Sequence, residues 1–455
     1  MNLSALWQCR HRRRRERFIV FGLLVAFIFV SQHDVRVFSL ESVKLDEVRG
    51  KEETGIQNTF SRPLLRDSRL SWRDTPPETR LLAHAPGYTM FDQLYVLNGT
   101  LFIVSPNSFY VTSRITVDAE AEEAKRPPTY MEIRIIGRAK ARRLFGTSAT
   151  RIDGPNWLVN DATQYIPHHF HFVAEVLFGL WRAYSSLDPH ITPDGVTSIP
   201  PPRRDYASMN EWVFRRAFPS ASMEFSSDWA DRANKGRPSV FDRVLIFHRS
   251  AAHLGVTPGR PWRVTTEDLA LHGSPHWWST VRNNILEFSG LAPEWLLTPD
   301  PVAIATRQKF VITYVSRQGW RGGRMLRDED HEELVNVVYM EKLTRAEQFQ
   351  LSGRTTILMG VHGNGLTALM WMRPTPHSTV IEFFYPQGWA FDYEYTTRAL
   401  GMVHYGVWNN ITFTSPDVPP LVNILGGFHG NDIPVDGVVV ADLVHRRLQL
   451  DQVYD

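Results

Sequence analysis

The sequence predicts an α/β protein in which two domains follow an N-terminal apolar segment and a stem. Three observations carry that expectation. From residue 310 onward, strand-like and helix-like segments alternate, as they do when a parallel sheet is covered on both faces. The chain has 455 residues, 43% hydrophobic and 12% aromatic, which is material for a large core and for two or three domains of roughly 100–200 residues. An arginine-rich start also runs directly into the apolar stretch Phe18 to Val30.

Charge at the N-terminus shapes the reading of the whole chain. Residues 1–17 hold six arginines and one acid, so the remainder carries 44 basic and 47 acidic side chains, a net charge of −3. The globular part is therefore no polycation, and a nucleic-acid partner is not expected. Residues 18–32 are short of the roughly 20 that cross an average bilayer. The bulky polar residues after Val30 offer no small-x-small cleavage site, which favours an uncleaved anchor over a cleaved signal. The arginines then stay cytosolic and residues 33–455 lie in the lumen of the secretory pathway, in the Golgi or endoplasmic reticulum membrane. The single cysteine, Cys9, falls on the cytosolic side, so no disulfide holds the lumenal part. The triplets at Asn98 and Asn410 are glycosylation acceptors in that topology.

Residues 33–80 are mixed in charge, lack apolar periodicity and read as a stem. A first domain is expected over 81–300 and a second over 301–455. Alternation on either side of Asn98-Gly99 predicts a β-hairpin. Met131–Ile136 and Trp157–Val159 read as strands, and His169–Tyr184 as a helix with Phe172, Val176, Leu177, Leu180 and Tyr184 on one face. Five prolines make 189–204 a loop, and Pro293, Pro299 and Pro301 mark the boundary near 300. Strands are then expected at Phe310–Val315, Thr356–Val361 and Thr379–Phe384. Helices are expected at Asp330–Tyr339, after the capping box Thr344–Glu347, and at Leu366–Met372.

Four segments carry candidate chemistry. In Gly360-Val-His-Gly-Asn-Gly-Leu366 a strand enters a glycine turn that opens a helix. Such a turn lets a phosphate approach the backbone, which nominates His362, Gly363, Asn364, Gly365 and Leu366; a tight structural turn is the alternative. Glu382 lies 19 residues beyond Gly363 at a strand end, where a carboxylate can bind ribose hydroxyls. The loop after Val315 contributes Arg317, Arg321 and Arg324, either as a diphosphate clamp or as a solvated basic loop. Next to it, Asp328-Glu-Asp330 matches a metal-diphosphate pattern, but acids at a helix start explain it better. His171 and Glu175 sit four apart on one helix face and suit a metal site, an acid/base pair or a structural pair. No metal ligand set or other cofactor is firmly implied. Finally, seven aromatics between Phe383 and Tyr395 either line a sugar-binding cleft or pack the core.

Taken together, Tyr314-Val-Ser-Arg317, the arginine loop, Thr344-Arg-Ala-Glu-Gln348, the Gly360–Leu366 turn, Val380-Ile-Glu382, Leu400–Tyr405 and the His171-x-x-x-Glu175 helix resemble glycosyltransferase family 61. The resemblance covers roughly residues 85–410. It implies a GT-B architecture, a pair of Rossmann-like domains, and inverting transfer from a UDP-sugar donor to a protein or polysaccharide acceptor. The sugar implied is N-acetylglucosamine or a pentose such as xylose. In that frame Arg317, Arg321, Arg324 and the Gly363 turn hold the donor diphosphate, and His171 and Glu175 serve the acceptor. Asn364 and Ala368 depart from the residues common in the family. An NAD(P)-dependent oxidoreductase using the Gly363–Glu382 fingerprint, or an inactive lectin-like relative, are the alternatives.

Overall fold

Apolar strands of alternating pattern collect into two sheets, each the centre of its own compact unit. In this computed structural model the described residues are 35–40 (backbone only), 68–85, 87–106, 129–161, 165–186, 208–224, 226–249, 252, 276–296, 310–319, 324–332, 337–417, 419 and 433–450. The apolar run 18–32, the proline-rich loop 189–204 and Arg321 lie outside them. No helix among the described residues is long and apolar enough to cross a membrane.

The first unit holds a nine-stranded sheet of β1 (Val35–Leu40), β2 (Arg69–Ser71), β3 (Arg80–Ala85), β4 (Tyr88–Leu97), β5 (Thr100–Val104), β6 (Ile133–Ile136), β7 (Ser148–Asn160), β8 (Ala221–Glu224) and β9 (Ser239–His248). The strand order is β6-β5-β4-β9-β7-β1-β8, with β2 beside β7 and β3 beside β4. The expected hairpin joins β4 to β5, with Asn98 at φ +50° and Gly99 at φ +78°. Two expectations change here. Among the described residues, only β5–β6 and β7–β9 pair in parallel, so this layer is not the doubly wound sheet of a Rossmann-like domain. Part of the expected stem also belongs to the sheet. β1 pairs with β7 and β8, and β2 pairs with β7. Trp72 sets its ring edge on Tyr95, and its indole N–H donates to Gly146 O at 2.8 Å. The three residues of β2 are too few to register as periodicity.

Inside this unit Arg249 and Asp161 form a buried two-point ion pair, at 2.6 and 2.7 Å, and Tyr165 covers the guanidinium. The pair gives both charges their partners away from water, as burial demands.

The second unit is built on β10 (Ile312–Val315), β11 (Val337–Val338), β12 (Ile357–Val361), β13 (Thr379–Phe383), β14 (Val403–Trp408) and β15 (Ile411–Phe413). Their order is β11-β10-β12-β13-β14-β15, parallel throughout except for the final hairpin. β12 and β13 are buried at every position, as continuous apolar strands covered on both faces require. Tyr314, Met359, Val361, Ile381, Phe383 and Val407 form one cluster with Val440 and Leu443 of the helix Gly437–Leu448. The chain leaves β10 to one side for β11 and returns on the other side for β12. That reversal is where open α/β sheets bind ligands, beyond the carboxyl ends of the strands.

The helices of this unit correct several expectations. Thr344 caps the helix Arg345–Arg354 by the expected capping box, accepting from the Glu347 N–H while the Glu347 carboxylate accepts from the Thr344 N–H. The segment after the glycine turn, Asn364–Trp371, is a 3-10 helix rather than an α-helix. Asp328–Glu332 is a short helix with its acids in the first turn, where they complement the helix dipole, and Asp330 accepts from Val435 N–H at 3.0 Å. The linear division near residue 300 also gives way. Residues 168–186, 208–217 and 276–296 belong to the second unit, not to the first. Trp278 explains part of that placement, because its indole N–H donates to Met370 O at 2.8 Å and its ring packs on Trp371.

Replacing the cap by Thr344→Ala leaves the Glu347 N–H without its acceptor and is expected to lower unfolding free energy by about 1 kcal/mol. Thr344→Asp is expected to restore most of it, and chemical denaturation of both variants checks the pair.

Candidate functional site

The carboxyl ends of β10 and β12 approach each other so closely that side chains are excluded between them. A Cβ at Gly365 would lie 2.7 Å from Val315 Cγ1, and one at Gly360 would lie 3.3 Å from the Val315 carbonyl oxygen. Gly363 takes φ +154°, a value glycine tolerates, and the Arg317 guanidinium lies directly against its α-carbon. Leu366 turns inward and is 1% exposed, so it seals the turn from below instead of facing a ligand.

Arg317 lies against this turn, and Arg324 lies near enough to Arg317 for its charge to act on it. Burial lowers the pKa of each guanidinium, and the charge of Arg324 lowers that of Arg317 further. Arg324 adopts φ +59°, a left-handed conformation costly for a side chain this size. Tyr393 stands beside both arginines. Its phenol is held far above its usual range by burial, then by Glu382 and Asp392, while Thr367 and Arg317 act the other way. Two desolvated like charges against a glycine turn favour an anion between them.

The histidine helix meets the same turn. Asn364 accepts from Phe170 N–H at 3.1 Å and from the Thr367 hydroxyl at 3.1 Å, which ties the helix entry to the 3-10 helix. Asn364 thus acts through its side chain on protein, although the sequence nominates it for the donor. Phe170 packs on Tyr393 with ring centroids 4.7 Å apart, and Tyr393 meets His362 edge-on at 5.5 Å.

His171–Leu177 is wound as a π-helix and continues as the α-helix Phe178–Ser185. Within it His171 Nδ1 pairs with Glu175 Oε2 at 2.7 Å. The Glu175 side chain is 3% exposed and that of His171 29% exposed, so a buried carboxylate orients a ring that solvent reaches. Such an arrangement suits a general base whose outer nitrogen takes a proton. His168 lies tilted against it, ring centroid 4.8 Å from His171, and its pKa falls to about 4 through burial, the neighbouring His171 and His169, and Arg324. Among the described residues no group of three His, Cys, Asp or Glu side chains converges as a metal site.

Glu382 differs most from its expected role. It is 0% exposed, with Oε1 bound to His362 Nδ1 at 2.5 Å and Oε2 to His404 Nε2 at 2.8 Å. A carboxylate occupied on both oxygens inside the sheet has no face to give a ribose. The fingerprint spacing places the residue at the strand end, but β13 is covered on both faces, so Glu382 is buried whichever face it takes. Burial pushes the Glu382 carboxyl well above its usual range and brings His404 down to about 3.

The structure therefore brings together His171, Glu175, Arg317, Arg324, His362, Gly363, Asn364 and Gly365. It adds Tyr393 and His404, which the sequence reading did not single out, and keeps His168 at the entry of the histidine helix. Tyr393 is one of seven aromatics in a row, with nothing in the pattern to separate it from its neighbours. His404 sits in the quoted Leu400–Tyr405 segment and reads as an ordinary strand residue. The two glycosylation triplets place Asn98 and Asn410 at exposed hairpin turns. No protein-family model matches the chain, and no curated protein matches it.

The depressed histidines link this site to stability. His404 and His168 stay neutral in the folded chain to about pH 3 and 4, whereas in the unfolded chain each takes a proton near 6.5. The unfolded state thus binds more protons across that window, so stability is expected to fall as pH drops from 6.5 toward 4. Denaturant midpoints at pH 7, 5.5 and 4.5 measure the fall, which His168→Gln is expected to reduce.

Proposed function

We propose that the chain is an inverting glycosyltransferase that uses a UDP-sugar donor. The single observation that carries this reading is the meeting of Arg317 and Arg324 with the Gly363 turn at the point where the β10–β12 order reverses, beside the His171–Glu175 pair. In the reaction, His171 Nε2 takes the proton of the acceptor hydroxyl while Glu175 steadies Nδ1. The acceptor oxygen attacks the anomeric carbon, and the bond from that carbon to the diphosphate oxygen breaks with its electrons going to UDP. The guanidinia of Arg317 and Arg324 take up the charge that develops on the diphosphate.

The resemblance to glycosyltransferase family 61 supplies the rest of the reading: N-acetylglucosamine or a pentose such as xylose as the sugar, and a protein or polysaccharide hydroxyl as the acceptor. The arginine-flanked apolar run 18–32 supports a type II protein of the Golgi or endoplasmic reticulum membrane. The dinucleotide alternative is weaker, because its ribose-binding acid would be Glu382, whose oxygens both serve histidines.

Thermal shift of the detergent-solubilised full chain against UDP, UDP-N-acetylglucosamine, UDP-xylose, GDP-mannose and NAD tests the proposal. Stabilisation by UDP and one UDP-sugar is expected, about 2.7 kcal/mol at a hundredfold excess over Kd. A response to NAD alone would reverse the reading. Arg317→Ala is expected to weaken UDP binding roughly tenfold or more. Glu175→Gln is expected to abolish transfer with the UDP shift kept; loss of both together would make the pair structural.

A further inference from the structure

Three described arginines are buried: Arg249, Arg282 and Arg447. Arg249 turns the Nε–Nη2 edge of its guanidinium onto Asp161, and Arg447 turns the same edge onto Thr379 Oγ1 and the Pro376 carbonyl. Arg282 is different. It is 7% exposed, yet its Nε has no hydrogen-bond partner. Its other contacts are long and neutral: Nη1 donates to Met372 O at 3.5 Å, and Nη2 to Ser279 Oγ at 3.3 Å. Among the described residues no carboxylate pairs with it. Burial and the charge of Arg373 bring its pKa down to about 10, so it remains a cation at neutral pH.

The place it occupies is already positive. Arg282 belongs to the helix Ser279–Phe288, and side chains on a helix lean toward its N-terminus. The guanidinium accordingly reaches back to Ser279, the first residue of that helix. Among the described residues no side chain caps this N-terminus, and its first turn, Ser279-Thr-Val281, holds no acid. The unpaired N–H groups and the dipole of the helix start therefore add to the charge of the arginine instead of offsetting it. Arg373, next in the chain to the carbonyl that Arg282 holds, contributes a further positive charge. Ser279 and Arg373 are half-buried, which leaves a small ion an approach from solvent; the burial of Arg282 itself leaves none for the bulk of a macromolecule.

We propose that the Nε–Nη2 edge of Arg282, the N-terminus of the helix Ser279–Phe288 and the charge of Arg373 form a binding site for a small doubly charged oxyanion, inorganic phosphate or sulfate. One oxygen accepts from Nε and a second from Nη2, the two-point geometry that Asp161 adopts on Arg249. A third faces the N–H groups of the helix start. This site is separate from the glycine turn. It stands at the opposite end of the 3-10 helix Asn364–Trp371, whose 8 residues span roughly 16 Å, and it does not depend on the UDP-sugar reading.

Equilibrium dialysis of radiolabelled phosphate against the detergent-solubilised full chain, at constant ionic strength in chloride, tests the proposal. Arg317→Ala is the background throughout, because the glycine turn also suits phosphate. Saturable binding in the millimolar range or tighter is expected, displaced by sulfate more strongly than by acetate. Arg282→Met, which keeps the bulk and removes the charge, is expected to weaken phosphate roughly tenfold or more. In chloride alone the same variant is expected to melt no lower than the background chain, since it removes a buried charge that lacks a partner. Arg373→Gln is expected to weaken phosphate roughly threefold. If Arg282→Met does not fold, Arg282→Lys decides, because it keeps a charge but loses the two-point edge; a tenfold weakening supports the site. Phosphate binding that neither Arg282 variant changes means an adventitious ion only and overturns the proposal, as does a background chain that binds no phosphate in the millimolar range.

Discussion

Where β10 and β12 end, Val315, Gly360, Gly363, Gly365 and Arg317 occupy a volume in which no further carbon fits, and the rest of the second unit is arranged around that approach. The glycines let the Arg317 guanidinium lie flat on main chain, the place a phosphate would also seek. Leu366 and Val315 close the turn from the core side. Asn364 then uses its oxygen to hold the entry of the histidine helix, so the base candidate His171 is placed by the same turn that places the arginines. A side chain at Gly363 would displace the Arg317 guanidinium, whereas one at Gly360 or Gly365 would press on Val315.

The site stores electrostatic cost. Two guanidinia are partly removed from water near each other, a tyrosine hydroxyl is buried beside them, and two histidines are kept neutral far below their usual range. None of these features favours folding, since each removes a polar group from water or sets like charges together. The apolar cluster around β12 and β13 offsets that cost, with each fully buried Ile, Val or Phe contributing roughly 1.5–3 kcal/mol. Strain and desolvation held at one place by a rigid sheet end are what an anion would relieve on binding.

One device occurs twice. A buried glutamate fixes a histidine that retains some exposure: Glu175 with His171 along a π-helix, and Glu382 with His362 across adjacent strands. In each case a glutamate oxygen faces Nδ1 and fixes the ring's direction, leaving Nε2 at the opposite edge. The environments separate the two. His171 is open to solvent and adjoins a helix entry, whereas His362 is boxed by aromatic rings and lies next to a cationic turn.

By itself the sequence determined the middle of the second sheet. Its strands at 312–315, 357–361 and 379–383, the Thr344 cap and the hairpin at Asn98-Gly99 all follow from local periodicity and turn chemistry, which need no distant partner. The glycine turn and the arginine beside it were legible for the same reason. Tertiary structure decided what each side chain faces. Spacing put Glu382 at a strand end, but only pairing with β12 and β14 set His362 and His404 against its two oxygens. Linear order put His171 before the proline-rich boundary, but packing joined its helix to the later unit through Phe170 and Asn364. The first sheet was read least well, because its short strands pair antiparallel over long separations and register is settled by contacts that no local pattern encodes.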